Sequence, residues 1–270
     1  MICKICGSSA HKAFNARLLA KHDVDFFCCD TCGLLFTPNP HWLDEAYSSA
    51  IAAADTGLIA RNVQVSNKVA CILQWCGLDQ GAAKYVDIAG GYGMLTRLMR
   101  DLGFDFYWSD KYCANELAKG FEYVAGQQAC TAVTAIEVLE HLTEPLQFIE
   151  ESLSSVGADS IIFTTELYAG PPPSPAEWWY YTFETGQHIS FYQHRTLEFI
   201  AKKLGLQFFT AHGIHVLSRK PINAISLWLA THPTISRFGA IWTRRRKGSK
   251  TVADHKQMLE RALQASSSKP

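Results

Sequence analysis

The stretch KYVDIAGGYGMLTRLMRDLGF, residues 84–104, constrains the fold more than any other part of the chain. Tyr85 to Ala89 is a short β-like run, Gly90, Gly91 and Gly93 make a turn, and Met94 to Leu102 has helical periodicity. A strand, a glycine turn and a helix in that order form the first unit of a doubly wound α/β sheet. The glycines let backbone approach a ligand closely, and Asp87 stands just before the turn, toward the same crevice. The next strand, FDFYWSD, ends in Asp110, 17 residues after Gly93. A carboxylate there accepts hydrogen bonds from two ribose hydroxyls, so turn and acid together point to an adenosine ligand without saying which.

A second constraint lies ahead of this unit. CKICG at the start is answered by CDTCGLLF at 29–36, giving Cys3-x2-Cys6, a gap of 22 residues, and Cys29-x2-Cys32. Each turn presents two thiolates on one side of a bend, and Gly7 and Gly33 follow where positive φ is needed. Four sulfurs at this spacing are the closed coordination of a structural zinc. Cys28 is adjacent, but the two-residue spacing favours Cys29. A segment of roughly 40 residues has too little core to fold alone, so metal binding would contribute folding energy.

Composition narrows the class. With 270 residues, 48% of them hydrophobic, and a formal net charge of zero, the chain has one sizeable core and a smaller appendage. Neutrality counts against a protein that coats nucleic acid. The dense basic run, Arg244 to Lys247, reads as solvated surface, with a phosphate or anionic-lipid contact as the other reading. No apolar run reaches the ~20 residues of a membrane span; INAISLWLATHPTISRFGAIW is broken by His232, Pro233 and Arg237 and reads as a packed or surface-lying helical pair. Nine cysteines without a signal pattern point to a reducing compartment, the cytoplasm by default.

VDIAGGYG resembles the first motif, Asp-x-Gly-x-Gly-x-Gly, of the class I S-adenosylmethionine-dependent methyltransferases. EVLEHL at 137–142 resembles a signature of one large subgroup, and GQHISFYQHRTLEFIAKKLGL its late segment. The resemblance spans residues 84–219. It implies a seven-stranded Rossmann-like sheet with an antiparallel last strand, with TAVTAIEV fourth, DSIIFTTELY fifth, and LQFFTAHG and HVLSRK as the closing hairpin. Helices over 145–155 and 195–204 cover it. S-adenosylmethionine is the implied cofactor, held by Asp87, Ala89, Gly90, Gly91, Gly93, Asp110 and Glu137. Ala89 departs from the motif's first glycine, and its methyl crowds the backbone near the methionine moiety. A ribbon ahead of such a domain also resembles the N-terminal region of sugar C-methyltransferases.

EVLEHL follows the fourth strand at the carboxyl edge of the sheet, where ligands of open α/β folds bind. As one helical turn it puts Glu137, Glu140 and His141 at i, i+3 and i+4 on one face, with Val138, Leu139 and Leu142 turned to the core. Three readings stay open. Glu137 contacts cofactor and His141 only hydrogen-bonds backbone; or His141 or Glu140 is a general base; or Glu137, Glu140, His141 and His188 hold Mn2+, Mg2+ or Fe2+. The last resembles the small-RNA 2′-O-methyltransferases and the ubiquinone-pathway O-methyltransferases, whose vicinal hydroxyls a metal chelates. Trp178, Trp179, Tyr180 and Tyr181 form either a lid packed on the core or a wall for the substrate.

The expected organisation is a zinc ribbon over 1–40, a helical linker over 41–83, a cofactor-binding domain over 84–219 and a helical extension over 220–270. The expected function is methyl transfer from S-adenosylmethionine to a small hydroxylated acceptor, such as a carbohydrate, with His141, Glu140 and His188 as catalytic groups. Its rivals are an RNA methyltransferase that uses the ribbon on RNA, and a non-catalytic scaffold of the same fold.

Overall fold

The computed structural model describes residues 1–47, 55–126 and 129–267. Residues 48–54 of the expected linker lie outside the described residues. The chain forms two compact units, one of residues 1–56 and 135–221, the other of residues 57–134 and 222–270. These boundaries differ from the sequence expectation because the ribbon shares its sheet and core with residues from 168 to 191.

In the first unit β1 (His11–Leu18), β2 (His22–Cys28) and β3 (Leu35–Phe36) form an antiparallel ribbon, followed by the short α1 (Leu43–Ala46). The second unit begins with α2 (Leu58–Trp75), β4 (Lys84–Ile88), α3 (Met94–Asp101) and β5 (Asp105–Ser109). It runs into β6 (Ala132–Ala135), within which the chain returns to the first unit. That unit continues with α4 (Pro145–Ser154), β7 (Ser160–Phe163), β8 (Ser190–Phe191), α5 (His194–Lys203), β9 (Gln207–Ala211) and β10 (Ile214–Ser218). Helices α6 (Ala224–Thr231), α7 (Pro233–Lys247) and α8 (Thr251–Ser267) complete the second.

Six strands give the α/β fold its mixed sheet. In the second unit the order is β5-β4-β6, all parallel; in the first it is β7-β10-β9, with β10 antiparallel to both neighbours. The β9–β10 turn places His212 and Gly213 both at positive φ, the demand of a tight hairpin that matches strand twist. The sequence expectation was seven strands. Among the described residues the strand beyond β5 is reduced to a single parallel bridge between Trp108 and Glu122.

The ribbon does not stand alone. β3 pairs with β8 through Leu35–Phe191 and Phe36–Ser190. Ribbon side chains Leu18, Val24, Phe26 and Leu35 share a core with Tyr168, Tyr180, Tyr181, Ile189 and Phe191. The aromatic run is therefore mostly interior: Tyr180 and Tyr181 are buried, Trp178 packs against the same cluster, and Trp179 alone of the four is largely exposed.

In the second unit α2 buries Val65, Val69, Ile72 and Leu73, whereas Ile59 and Val63 are exposed. The helical pair α6–α7 packs on α2. Helix α8 is mostly exposed, and its one buried charge, Asp254, is an anchor that pairs with Arg97 at 2.9 Å. The Arg100 guanidinium, 4% exposed, donates to both carboxylate oxygens of Asp254 at 2.8 Å. It also donates to Asp105 at 3.0 Å and to the Phe106 carbonyl at 2.8 Å, and lies 3.6 Å from the Phe121 ring centroid. Planar, bidentate pairing of this kind suits arginine in a buried site.

Removing one partner of a buried pair is expensive because it leaves the other charge uncompensated. Asp254→Ala should therefore lower stability by about 3 kcal/mol, seen as a lower urea midpoint at an unchanged slope. A loss below about 1 kcal/mol would mean that α8 is fastened elsewhere.

Candidate active site

The glycine loop between β4 and α3 lies within the second unit. Asp87 is 2% exposed and accepts a hydrogen bond from Thr134 Oγ1 at 2.7 Å. Burial, with Asp110 nearby, raises its pKa to about 7. Ala89 has φ +54°, a left-handed conformation that costs a residue bearing a Cβ about 1–2 kcal/mol. The glycine of the family motif would carry no such penalty there, so the departure read from the sequence brings backbone strain.

The three glycines have different tasks. A Cβ at Gly90 would lie 2.8 Å from Asp87 Oδ2 and 3.0 Å from the Trp108 ring, and one at Gly93 would lie 2.6 Å from Asn115 Oδ1. Gly91, at φ +54°, has open space where its Cβ would be. The loop is thus packed beneath Gly90 and Gly93 and open at Gly91. That cradle fits a ligand laid against bare backbone.

Asp110 is held to the loop itself. Oδ2 accepts from Gly91 N at 2.9 Å, and Oδ1 accepts from Tyr112 N at 2.7 Å and Cys113 N at 2.8 Å. A carboxylate has about four lone-pair sites, so three backbone donors leave room for about one ribose hydroxyl rather than the two expected. Thr134, which seats Asp87, was not singled out in the sequence; it is a lone hydroxyl in the apolar run of β6.

The EVLEHL segment lies in the first unit and does not form the expected α-helical turn. Strand β6 stops at Ala135, Glu137 takes a left-handed φ of +55°, and Leu139–His141 is a 3-10 turn. Glu137 is therefore outside the helix, and its face is set by Thr164. Its N–H donates to Thr164 Oγ1 at 2.9 Å, and that hydroxyl donates to Glu137 Oε1 at 2.6 Å. The expected four-residue set resolves into three: one ligand atom each from Glu140, His141 and His188 lies within 4.8 Å of the others, without Glu137.

Glu140 is fully buried, and neither carboxyl oxygen has a hydrogen-bond partner of good geometry. The Tyr180 and Thr165 hydroxyls lie close enough to influence it, yet they bond each other at 3.2 Å. Burial, reinforced by the neighbouring Glu137 charge, raises the Glu140 pKa to about 8. His141 Nδ1 is 3.1 Å from the Gln187 carbonyl, and His188 Nδ1 is 2.7 Å from the Tyr180 carbonyl. Each carbonyl requires a proton on Nδ1, which assigns Nε2 as the lone-pair nitrogen. Burial lowers the His141 pKa to about 4, so the ring is neutral at pH 7 and a weak base. A desolvated carboxyl beside two oriented imidazoles is a donor set that suits Mn2+ or Fe2+.

The four cysteines meet in the first unit. Cys3 and Cys32 sulfurs are 3.5 Å apart, Cys6 and Cys29 sulfurs 3.4 Å apart, and all four lie within 4.8 Å. Tetrahedral zinc with sulfurs at about 2.3 Å needs S–S edges of about 3.8 Å, so the set fits that ion. Gly7 and Gly33 take positive φ at +77° and +75°, and their N–H groups close the knuckles on the Cys3 and Cys29 carbonyls. Lys4, between two cysteines, donates to the Leu142 carbonyl at 3.2 Å and to Ser190 Oγ at 2.9 Å. It thereby ties the knuckle to the residues that follow His141 and His188, a role the sequence did not show.

A profile of the methyltransferase-domain family matches residues 59–211, more than half of the chain, and the chain belongs to that family. The family implies S-adenosylmethionine as methyl donor. No curated protein matches. Solved structures similar to this chain include TnmH, at 17% identity and a TM-score of 0.46, with 66% of this chain and 61% of that one covered. Another is the mitomycin 7-O-methyltransferase MmcR, at 14% and 0.40, with 58% and 53% covered. A third is the magnesium protoporphyrin IX methyltransferase ChlM from Synechocystis PCC 6803, at 13% and 0.40, with 67% and 93% covered. The chain thus spans less than two thirds of TnmH and MmcR, and scores this low say nothing of its acceptor.

The buried carboxyl gives a pH test. A carboxyl whose folded pKa is raised from 4.5 to about 8 contributes stability that is intact below pH 4.5 and lost as pH rises through 8. Without added divalent cation, wild type should fall behind Glu140→Gln across that window by on the order of a few kcal/mol, and the gap should level off above it. Parallel stability curves for the two proteins in urea would show that Glu140 is not desolvated.

Proposed function

We propose that the chain transfers a methyl group from S-adenosylmethionine to a hydroxyl of a small acceptor, and that Glu140, His141 and His188 hold a divalent cation that binds that hydroxyl. The observation that carries the cation is the buried Glu140 carboxyl, both oxygens without a good hydrogen-bond partner, beside two imidazoles whose Nδ1 atoms are committed to backbone. A buried carboxyl in that condition is costly unless something compensates it. The His141 ring, with its pKa lowered to about 4, is poorly suited to the rival role of general base.

S-adenosylmethionine supplies an electrophilic methyl on a sulfonium, and a divalent cation supplies Lewis acidity to a bound hydroxyl. The rest falls to the protein. Gly91 offers bare backbone to the cofactor, Asp110 offers one remaining acceptor site to ribose, and Asp87, held by Thr134, packs closely beneath Gly90. Gln187 and Tyr180 carbonyls hold the two imidazoles in one tautomer. In-line transfer forms the O–CH3 bond as the sulfonium S–CH3 bond breaks, leaving S-adenosylhomocysteine. The hydroxyl proton passes to solvent water, so the enzyme's main work is alignment. Vicinal hydroxyls, as on a carbohydrate, suit a chelating cation, and that acceptor class is the one proposed. Residues 1–40 are read as a structural zinc ribbon, whose four sulfurs leave no open position for chemistry.

Two measurements bear on this reading. Protein purified without added metal should contain about one zinc per chain, and Cys29→Ser should lose it together with stability. Full retention of zinc in that variant would remove Cys29 from the ligand set. With zinc kept bound, activity on a diol acceptor should rise on titration with Mn2+. His188→Ala should weaken the apparent metal affinity at least tenfold, and excess metal should partly restore turnover. Activity indifferent to added Mn2+ while zinc stays bound would reject the cation.

A further inference from the structure

Helix α7 of the α6–α7 pair is built inside out. Toward α2 it presents small or hydroxyl-bearing residues, among them Ser236, Gly239, Ala240 and Thr243. A Cβ at Gly239 would lie 2.5 Å from Cys71 Sγ and 2.8 Å from the Trp75 ring, so α7 sits hard against α2 at that point. Thr243 Oγ1 donates to Gln74 Oε1 at 3.0 Å. Leu227 of α6 is buried, but most other large apolar residues of the pair face outward: Ile225, Trp228 and Leu229 on α6, and Phe238, Ile241 and Trp242 on α7, are 37–72% exposed. An ordinary amphipathic helix on a globular protein has the opposite arrangement. A contiguous exposed apolar face of this kind marks an interaction surface.

Its charge is one-sided. From Lys220 to Lys250 the sequence has seven lysines and arginines and no aspartate or glutamate. Lys247 pairs with Asp79 at 2.7 Å, while Arg237, Arg244, Arg245 and Arg246 are exposed. Arg246 lies 5.2 Å from the Trp242 ring centroid, so cation and aromatic belong to one patch. Basic residues in the last turn of α7 also suit its helix dipole, but that accounts for neither Arg237 nor the outward tryptophans.

We infer that this face lies on an anionic lipid surface, with its aromatic and aliphatic side chains in the headgroup region and its arginines on lipid phosphates. Tryptophan, phenylalanine and isoleucine beside arginine are the composition of helices that lie in the interface plane, and each basic residue near an anionic leaflet contributes about 1 kcal/mol. Among the described residues no helix is long and apolar enough to cross a membrane, so attachment would be to the surface. A second copy of the chain is a poorer occupant. A two-fold interface sets the same patch against itself, and would bring two groups of unpaired arginines together.

The test is co-sedimentation of the full chain with vesicles of phosphatidylcholine, with and without phosphatidylglycerol. Binding is expected only to the anionic vesicles, and should weaken as salt is raised. Arg245→Gln with Arg246→Gln should weaken it by about thirtyfold, the equivalent of two basic residues. Phe238→Ser with Trp242→Ser should abolish it. All four positions are exposed, so thermal unfolding should match wild type; if the serine pair does not fold, the glutamine pair still decides. Absence of binding to anionic vesicles, equal binding to both compositions, or a dimer that the Phe238→Ser change dissolves would overturn the inference.

Discussion

A segment of forty residues cannot bury enough apolar surface to hold itself together, and the first unit is laid out around that shortage. The ribbon's short third strand has no sheet of its own to end in; it pairs with β8. Its aromatic face is completed by Tyr180 and Tyr181, from the segment after β7, and by Phe191 of β8. Polar stitches follow the same route. Tyr168 Oη donates to the Gly33 carbonyl at 2.6 Å, Thr196 Oγ1 to the Cys32 carbonyl at 2.8 Å, and Lys203 to the Ile5 carbonyl at 3.0 Å. Arg195 reaches the Asp30 carbonyl at 2.8 Å. Both cysteine knuckles are therefore clamped by residues far along the chain.

The same clamp positions the Glu140–His141–His188 group. Lys4, whose pKa burial pushes down to about 8, bonds the carbonyl just past His141 and the hydroxyl of Ser190. Ile189 N–H donates to the Glu140 carbonyl at 2.8 Å, and Tyr192 Oη donates to the Leu139 carbonyl at 2.7 Å. The Glu140 carbonyl thus has a good partner while its carboxyl does not. Residues held tightly in an environment that penalises their charge are typical of sites where something else is meant to bind.

Much of this was legible in the sequence wherever spacing alone fixes geometry. The Cys-x-x-Cys pairs, the strand–glycine turn–helix unit and the closing hairpin all depend on local pattern, and local pattern is what a sequence displays. The misses have different causes. EVLEHL reads as a helical turn because its apolar and polar residues alternate suitably, but a left-handed Glu137 held by Thr164 breaks the turn before it starts. That contact spans 27 residues and leaves no trace in spacing. Ile59 and Val63 match the helical period of α2 yet are exposed, since periodicity gives a face and not the depth to which neighbours cover it. Asp110 stands where a ribose acid should, and the sequence could not show that three backbone N–H groups already claim it. The Arg100–Asp254 pair joins residues 154 apart and carried no motif at all.

The pairing of Phe36 with Ser190 also has a consequence for the order in which this chain is made. During synthesis β3 emerges about 150 residues before its partner strand, an interval of roughly 8–30 s at usual elongation rates. For that time the nascent ribbon has its four thiols but none of the clamp that later encloses them. A metal ion bound early would give the first forty residues a fixed shape while they wait. With a metal bound that early, the ribosome's pace and the local supply of that ion would both bear on how the chain reaches its fold.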